Sequence, residues 1–199
     1  MLTLALDTAT SLLSVAVGRA GKVLAIETSA ARRGQSEELL PLIDKTCAAA
    51  GCKLQDIQRL VAITGPGSFT GLRIGLAAAK GLAFGLQVPL IGFSAFQAAR
   101  QAVPEATGVV LESWREELYV ELGVGQAPEM LTPAQIATRL QPGMLLTGDA
   151  AAKIPEAPYR TMPPLALAAL ELVAVGAADE TPIAPYYVRP PDISQPKAR

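Results

Sequence analysis

With 199 residues, half of them apolar and 18% charged, the chain has enough apolar material for one large domain or two small ones, which excludes disorder as a general description. Seventeen basic against eighteen acidic residues leave a net charge of -1, so no global field draws the chain onto nucleic-acid phosphates. Histidine is absent, which removes Ser-His-Asp and Cys-His nucleophile systems, His-ligated metal sites and the usual general base near neutral pH.

The N-terminal Leu2-Thr-Leu-Ala-Leu-Asp7 lacks a basic leader and meets a carboxylate early, so it reads as a strand rather than a signal peptide. Residues 2–6, 12–18 and 22–29 form three short β-rich runs whose spacing predicts consecutive antiparallel hairpins. Ser36 followed by Glu37 and Glu38 is an N-cap candidate for a helix carrying Leu39, Leu40, Leu42, Ile43 and Cys47, with Gly51 as its C-cap. Pro41 is expected to kink it. Cys47 and Cys52 read as small apolar groups in a reducing compartment, since nothing completes a four-ligand zinc site.

Residues 59–63 predict a buried strand, followed by the glycine loop Gly65–Gly71 and a helix over 71–86; strand 88–91 and a helix opening at Ser94 complete a βββαβαβα order over 1–103. From 104 to 185 a smaller, Pro-punctuated unit is expected, with a hairpin at 109–112 and 117–122, helix 133–140, strand 144–147 and helix 165–175. Residues 186–199 read as a Pro-rich tail. No apolar run approaches the ~20 residues of a bilayer span, so a cytoplasmic location is expected.

Three features carry chemistry. Asp7 and Thr8 end the first strand at a tight turn, where a carboxylate and hydroxyls either serve phosphate and metal or cap the turn. The loop Gly65-Pro-Gly67-Ser68-Phe-Thr-Gly71 precedes a helix, the order of an anion site, although it is neither a Walker loop nor the dinucleotide fingerprint. Third, Gly71, Gly75 and Ala79 leave one helix face nearly bare. Each helical glycine costs about 0.5–1 kcal/mol relative to alanine, so a compensating close approach is required. Either the chain's own sheet or a second chain supplies it; the second is favoured because helix 37–50 offers a further apolar stripe.

The strings Leu4-Ala-Leu-Asp7-Thr8-Ala-Thr, Ser36-Glu-x-Leu-Leu-Pro41, Gly65-Pro-Gly-Ser-Phe-Thr-Gly-Leu-Arg-Ile-Gly75 and Tyr187-Val-Arg189 together resemble the TsaB (YeaZ) family, densely over 2–97 and sparsely beyond. The resemblance implies an actin-like α/β fold of the Hsp70/sugar-kinase type, with two ribonuclease-H-like subdomains of mixed sheets, the second reduced. It implies a non-catalytic scaffold role in forming N6-threonylcarbamoyladenosine at position 37 of tRNA. The family's TsaD-like transferase subunit performs the catalysis, and a TsaE-like ATPase joins the assembly. This chain would carry no catalytic residue, metal or intrinsic cofactor. ATP or ADP would sit only at the partner interface, tRNA would be met only through the complex, no membrane would be involved, and homodimerisation without the partner stays open.

The expected partner interface is Leu39, Leu42, Ile43, Leu72, Gly75, Leu76 and Ala79, and a bulky residue at Gly75 or Ala79 is expected to abolish pairing and spare the fold. Asp7, Thr8, Gly67 and Ser68 are the candidate vestigial nucleotide or phosphate site. Two departures stand out: Gln35 where the family usually has histidine, and Glu112-Ser-Trp-Arg115 where it tends to Asp-Ala-Arg. The competing reading is a self-sufficient ATP-dependent kinase or carbamoyl transferase of the same fold. It needs a second phosphate loop, for which Gly148-Asp149 is the nearest candidate.

Overall fold

A computed structural model describes residues 1–30, 35–176 and 183–189. The first sheet contains β1 (Leu2–Asp7), β2 (Leu13–Arg19), β3 (Lys22–Ser29), β4 (Arg59–Ile63) and β5 (Leu90–Phe93), in the order β3-β2-β1-β4-β5. The β1–β2–β3 meander is antiparallel, and β4 and β5 run parallel to β1. Alternation along the central strands sets which helix covers which face. Leu2, Leu4 and Leu6 of β1, with Leu13, Val15 and Val17 of β2, meet α1 (Gln35–Ala49) and α2 (Phe69–Leu86). The intervening small residues, Ala5 and Ala16, admit α3 (Ala95–Ala102) and α5 (Leu165–Ala174) on the other side. There Gly18 lets α5 close in, since a Cβ on it would stand 2.9 Å from Leu170 Cδ1. Leu4, Leu60 and Leu72 are fully buried, each stabilising by roughly 2 kcal/mol relative to exposure.

The second sheet contains β6 (Gly108–Leu111), β7 (Leu118–Leu122), β8 (Glu129–Leu131), β9 (Leu146–Thr147) and β10 (Tyr159–Arg160), in the order β10-β9-β6-β7-β8. Its wiring repeats the first: an antiparallel β6–β7–β8 meander, a helix α4 (Pro133–Arg139), then β9 and β10 parallel to β6. The strands are shorter, and where the first unit has the 18-residue α2 the second has a three-residue 3-10 turn over Ala151–Lys153. The repeat reaches individual positions, because Gly65 and Gly148 follow their strands with φ of +111° and +118°.

Several expectations need correction. Helix 165–175, expected in the second unit, is α5, which packs against α3 and against β1, β2 and β4 of the first sheet, through Leu165, Ala166 and Ala169. Ser36 is not the cap: α1 already includes Gln35, and position 34 lies outside the described residues. Pro41 lies within α1. Gly51 does close that helix in a Schellman arrangement, with φ of +70°, Cys52 N donating to Cys47 O and Gly51 N to Ala48 O, both at 3.0 Å. Burial and the adjacent Cys52 push the Cys47 thiol up to about 12, so it stays a protonated core group. By length and composition α2 could span a bilayer, contrary to expectation. Its apolar stripe of Leu72, Leu76, Ala79 and Ala83 is nonetheless consumed by the core. The expected tail lies outside the described residues beyond 189, while Tyr186–Arg189 run beside the β4–α2 loop: Tyr186 N donates to Thr64 O at 2.7 Å, Tyr187 packs on the Phe69 ring at 5.8 Å, and Arg189 pairs with Glu117 at 3.4 Å.

Candidate functional site

The fold brings Asp7 and Thr8 together with Gly67 and Ser68, and the contact is tight. A Cβ on Gly67 would stand 2.1 Å from Ala9 O, one on Gly71 2.0 Å from Thr8 O, and one on Gly75 2.1 Å from Thr8 Oγ1. The bare face of α2 is therefore covered by the chain's own β1–β2 turn. Thr8 Oγ1 donates to Gly71 O at 2.7 Å, Ser68 N donates to Ala9 O at 2.7 Å, and Ser68 Oγ caps α2 by accepting from Gly71 N at 3.1 Å. Gln35 lies over the same spot, with Oε1 2.9 Å from a Gly71 Cβ position.

The seven residues expected at a partner interface take inward places. Leu39, Ile43, Leu72, Gly75, Leu76 and Ala79 are buried and Leu42 is partly buried. A large residue at Gly75 or Ala79 would thus disrupt the monomer before any partner, correcting the expectation that the fold is spared. The outward faces carry other residues: Leu40, 53% exposed, on α1, and Ala77, Gly81, Phe84 and Gly85 on α2, with Phe84 88% exposed.

In both hairpins the turn amides are taken by carboxylates. Asp7 Oδ1 accepts from Ala9 N at 2.7 Å and Thr10 N at 3.3 Å, and its Oδ2 accepts from Thr10 Oγ1. In the second hairpin Glu112 Oε1 accepts from Ser113 N at 3.1 Å and Trp114 N at 2.9 Å, while Arg115 N donates to Ser113 Oγ at 3.1 Å. Asp149 joins the two turns, accepting from Ser11 N at 2.8 Å and Glu112 N at 2.9 Å. Gly148 makes that approach possible, because a Cβ there would stand 2.0 Å from Val110 O. A cleft of about 350 Å³ opens beside Asp149, between Thr10 and Ser11 on one side and Tyr159 and Thr161 on the other.

The two turn carboxylates are tuned in opposite directions. Burial pushes the Asp7 carboxyl up from 3.8 to about 6 against the lowering effect of its donors, and Asp149 adds repulsion. At Glu112 burial also works upward, but the Lys153 ammonium and the Trp114 and Ser113 amides outweigh it and hold the carboxyl below its usual range. A nucleotide phosphate in this cleft would need turn amides free to donate. Those of Ala9, Thr10, Ser11, Glu112, Ser113, Trp114 and Arg115 already donate to side chains of the protein itself. Among the described residues no three acidic or thiol groups converge as metal ligands. Asp149, weighed in the sequence only as a poor phosphate loop, is the site's central acceptor; its partners lie 138 and 37 residues away.

Two sheets of one topology, each opening with a β-hairpin and facing across a cleft, define an actin-like α/β fold. EutJ of Carboxydothermus hydrogenoformans, 11% identical over 87% of this chain and 89% of its own, shares that fold at a TM-score of 0.53. The sequence pattern of TsaD, tRNA N6-adenosine threonylcarbamoyltransferase, matches residues 26–120. The Escherichia coli tRNA threonylcarbamoyladenosine biosynthesis protein TsaB is 39% identical over 105 residues, 53% of this chain and 45% of that protein, so the match spans less than half of that relative. YeaZ from Pseudomonas aeruginosa superimposes with a TM-score of 0.70 at 26% identity, covering 94% of this chain and 99% of its own. The chain is similar to TsaB (YeaZ) proteins, in sequence over about half its length and in fold over nearly all of it.

Proposed function

We propose that the chain is a non-catalytic subunit needed for N6-threonylcarbamoyladenosine formation on tRNA, pairing with a TsaD-like transferase and supporting the transfer carried out there. The observation that carries the non-catalytic reading is the self-capped cleft: carboxylates of Asp7, Glu112 and Asp149 occupy the turn amides that a phosphate-handling member of this fold would offer its ligand. The histidine-free composition supports it, because no imidazole is present for metal ligation or general-base work. The pairing surface in this reading is the outward side of α1 and α2, centred on Leu40, Ala77, Gly81 and Phe84. An exposed phenylalanine flanked by glycine and alanine lets a partner helix approach closely and seat against the ring. Nucleotide, a TsaE-like ATPase and tRNA are met through the assembled complex.

Titration calorimetry of the chain alone with magnesium-ATP tests the non-catalytic half. No saturable binding below about 1 mM is expected; a dissociation constant under about 10 μM, or ATP turnover by the chain alone, would overturn it.

A further inference from the structure

The chain's only two cysteines, Cys47 and Cys52, meet at the end of α1, with the left-handed Gly51 between them. In the Schellman arrangement that closes this helix, the two residues joined by the outer hydrogen bond ordinarily make an apolar contact. Here both are cysteine. Cys52 N donates to Cys47 O at 3.0 Å, and Cys52 Sγ donates to the same carbonyl at 3.5 Å. With ordinary backbone dimensions, the first of these bonds holds the two α-carbons within about 7 Å of each other, inside the limit for a disulfide that needs no backbone movement. The Cys47 thiol is buried and lies in hydrogen-bonding contact with the side chain of Cys52, a residue that is only partly covered.

These surroundings give the two sulfurs different parts in thiol–disulfide exchange. Cys52, at the helix end and partly exposed, is the one that a dissolved reagent meets first. Burial pushes the Cys47 thiol up to about 12, so Cys47 is a poor first nucleophile and reacts only with a sulfur already placed beside it. In that position the scarcity of its thiolate is offset by the greater nucleophilicity of a high-pKa thiolate and by the attack being intramolecular. With no third cysteine in the chain, neither sulfur has an alternative partner within it.

We infer that Cys47 and Cys52 form a reversible disulfide, a redox modification site that staples the C-terminal end of α1. The Cys52 thiolate attacks one sulfur of glutathione disulfide, a low-molecular-weight organic disulfide, giving a mixed disulfide and expelling one glutathione thiolate. Cys47 then attacks the Cys52 sulfur and expels the second, each expelled thiolate taking up the proton that a cysteine has given to solvent. Two cysteine thiols are oxidised as one glutathione disulfide is reduced to two glutathione thiols. Residues this near in sequence also meet in the unfolded chain, so what the fold adds is alignment: Gly51, with φ of +70°, turns the backbone back and the outer hydrogen bond pins Cys52 against Cys47. This inference does not depend on the pairing proposed above.

The test equilibrates the full chain in glutathione redox buffers, with and without concentrated urea, traps remaining thiols with N-ethylmaleimide and reads the products by intact mass. Folded wild type is expected to become a monomer with an internal disulfide and no trapped thiol, restored by dithiothreitol. The effective concentration of its two thiols is expected to be at least about tenfold higher than in urea, because alignment by the fold favours the bond. Cys47→Ala is expected to stop at one glutathione adduct on Cys52, and Cys52→Ala to stay reduced, with thermal melts establishing that each variant is folded. A folded wild type that stops at a glutathione adduct, that links to a second chain, or whose effective concentration is no higher than in urea would overturn the inference. Glutathione uptake at Cys47 in a folded Cys52→Ala chain would also overturn it.

Discussion

Gly71→Ala is expected to destabilise the folded chain by about 3 kcal/mol or more, while the same exchange at Gly81 or Gly85 is expected to stabilise it by about 0.5–1 kcal/mol. All three positions lie in α2, so helix propensity favours alanine equally at each. What differs is the far side of the missing Cβ. At Gly71 it would meet Thr8 O at 2.0 Å, backbone that cannot swing aside, whereas at Gly81 and Gly85 nothing lies within 4 Å. Relieving the Gly71 clash means pushing α2 from the β1–β2 turn, which breaks the Thr8 Oγ1 to Gly71 O bond and uncovers Leu72 and Leu76. Urea unfolding midpoints of the three variants check this, and a Gly71→Ala midpoint equal to wild type would contradict the packing described for the glycine face.

Asp7→Asn is expected to stabilise the chain near pH 7.5 by 1 to about 3 kcal/mol and to make little difference near pH 4. Folding raises the Asp7 carboxyl from 3.8 to about 6, so between those values the folded chain holds a proton that the unfolded chain has released. Stability from this group is therefore greatest at low pH and declines as pH rises through that window, reaching its full cost once the buried carboxylate is ionised. Asparagine keeps an oxygen for Ala9 N and Thr10 N and adds an amide donor toward Thr10 Oγ1, while removing the charge that burial and Asp149 oppose. Unfolding free energies of both chains between pH 4 and 8 should lie close together at the acid end, separate between about pH 4 and 6 and hold a constant offset above that; a constant offset over the whole range, or none, would contradict the raised Asp7 carboxyl.

Features carried by local chemistry were legible in the sequence. Ser94 with Gln97 and Thr132 with Gln135 form reciprocal capping boxes where α3 and α4 begin, and the runs at 2–6 and 12–18 read as strands in consecutive hairpins. The glycine face of α2 was also legible as a surface demanding close approach. Its occupant was not, because spacing along a helix carries no information about a contact with Thr8, some 63 residues upstream. The favoured answer, a second chain, pointed at the side of α1 and α2 that the chain's own core buries. The strands β8 and β10, of three and two residues, are too short to show a period and sit at sheet edges. The placement of α5 on the first sheet was hidden because an Ala/Leu helix looks the same on either core; small residues at Ala5, Ala16 and Gly18 make room for it. Asp149 was hidden for a simpler reason, since no pattern links one aspartate to amides in two distant turns.

A chain that acts by pairing should lose its partner when its outer helix face is changed and nothing else is. The direct measurement is a binding titration of the TsaD-like subunit of the same organism against wild type, Phe84→Asp and Gly81→Arg, with thermal melts of each variant alone. Exposed positions with open space around them should leave the melts within a few degrees of wild type, as expected for surface changes of under about 0.5 kcal/mol. Binding should weaken by about 100-fold or more, as expected when a charge is forced into the centre of an apolar contact. Equal binding by wild type and both folded variants, or no binding by wild type at all, would contradict the account.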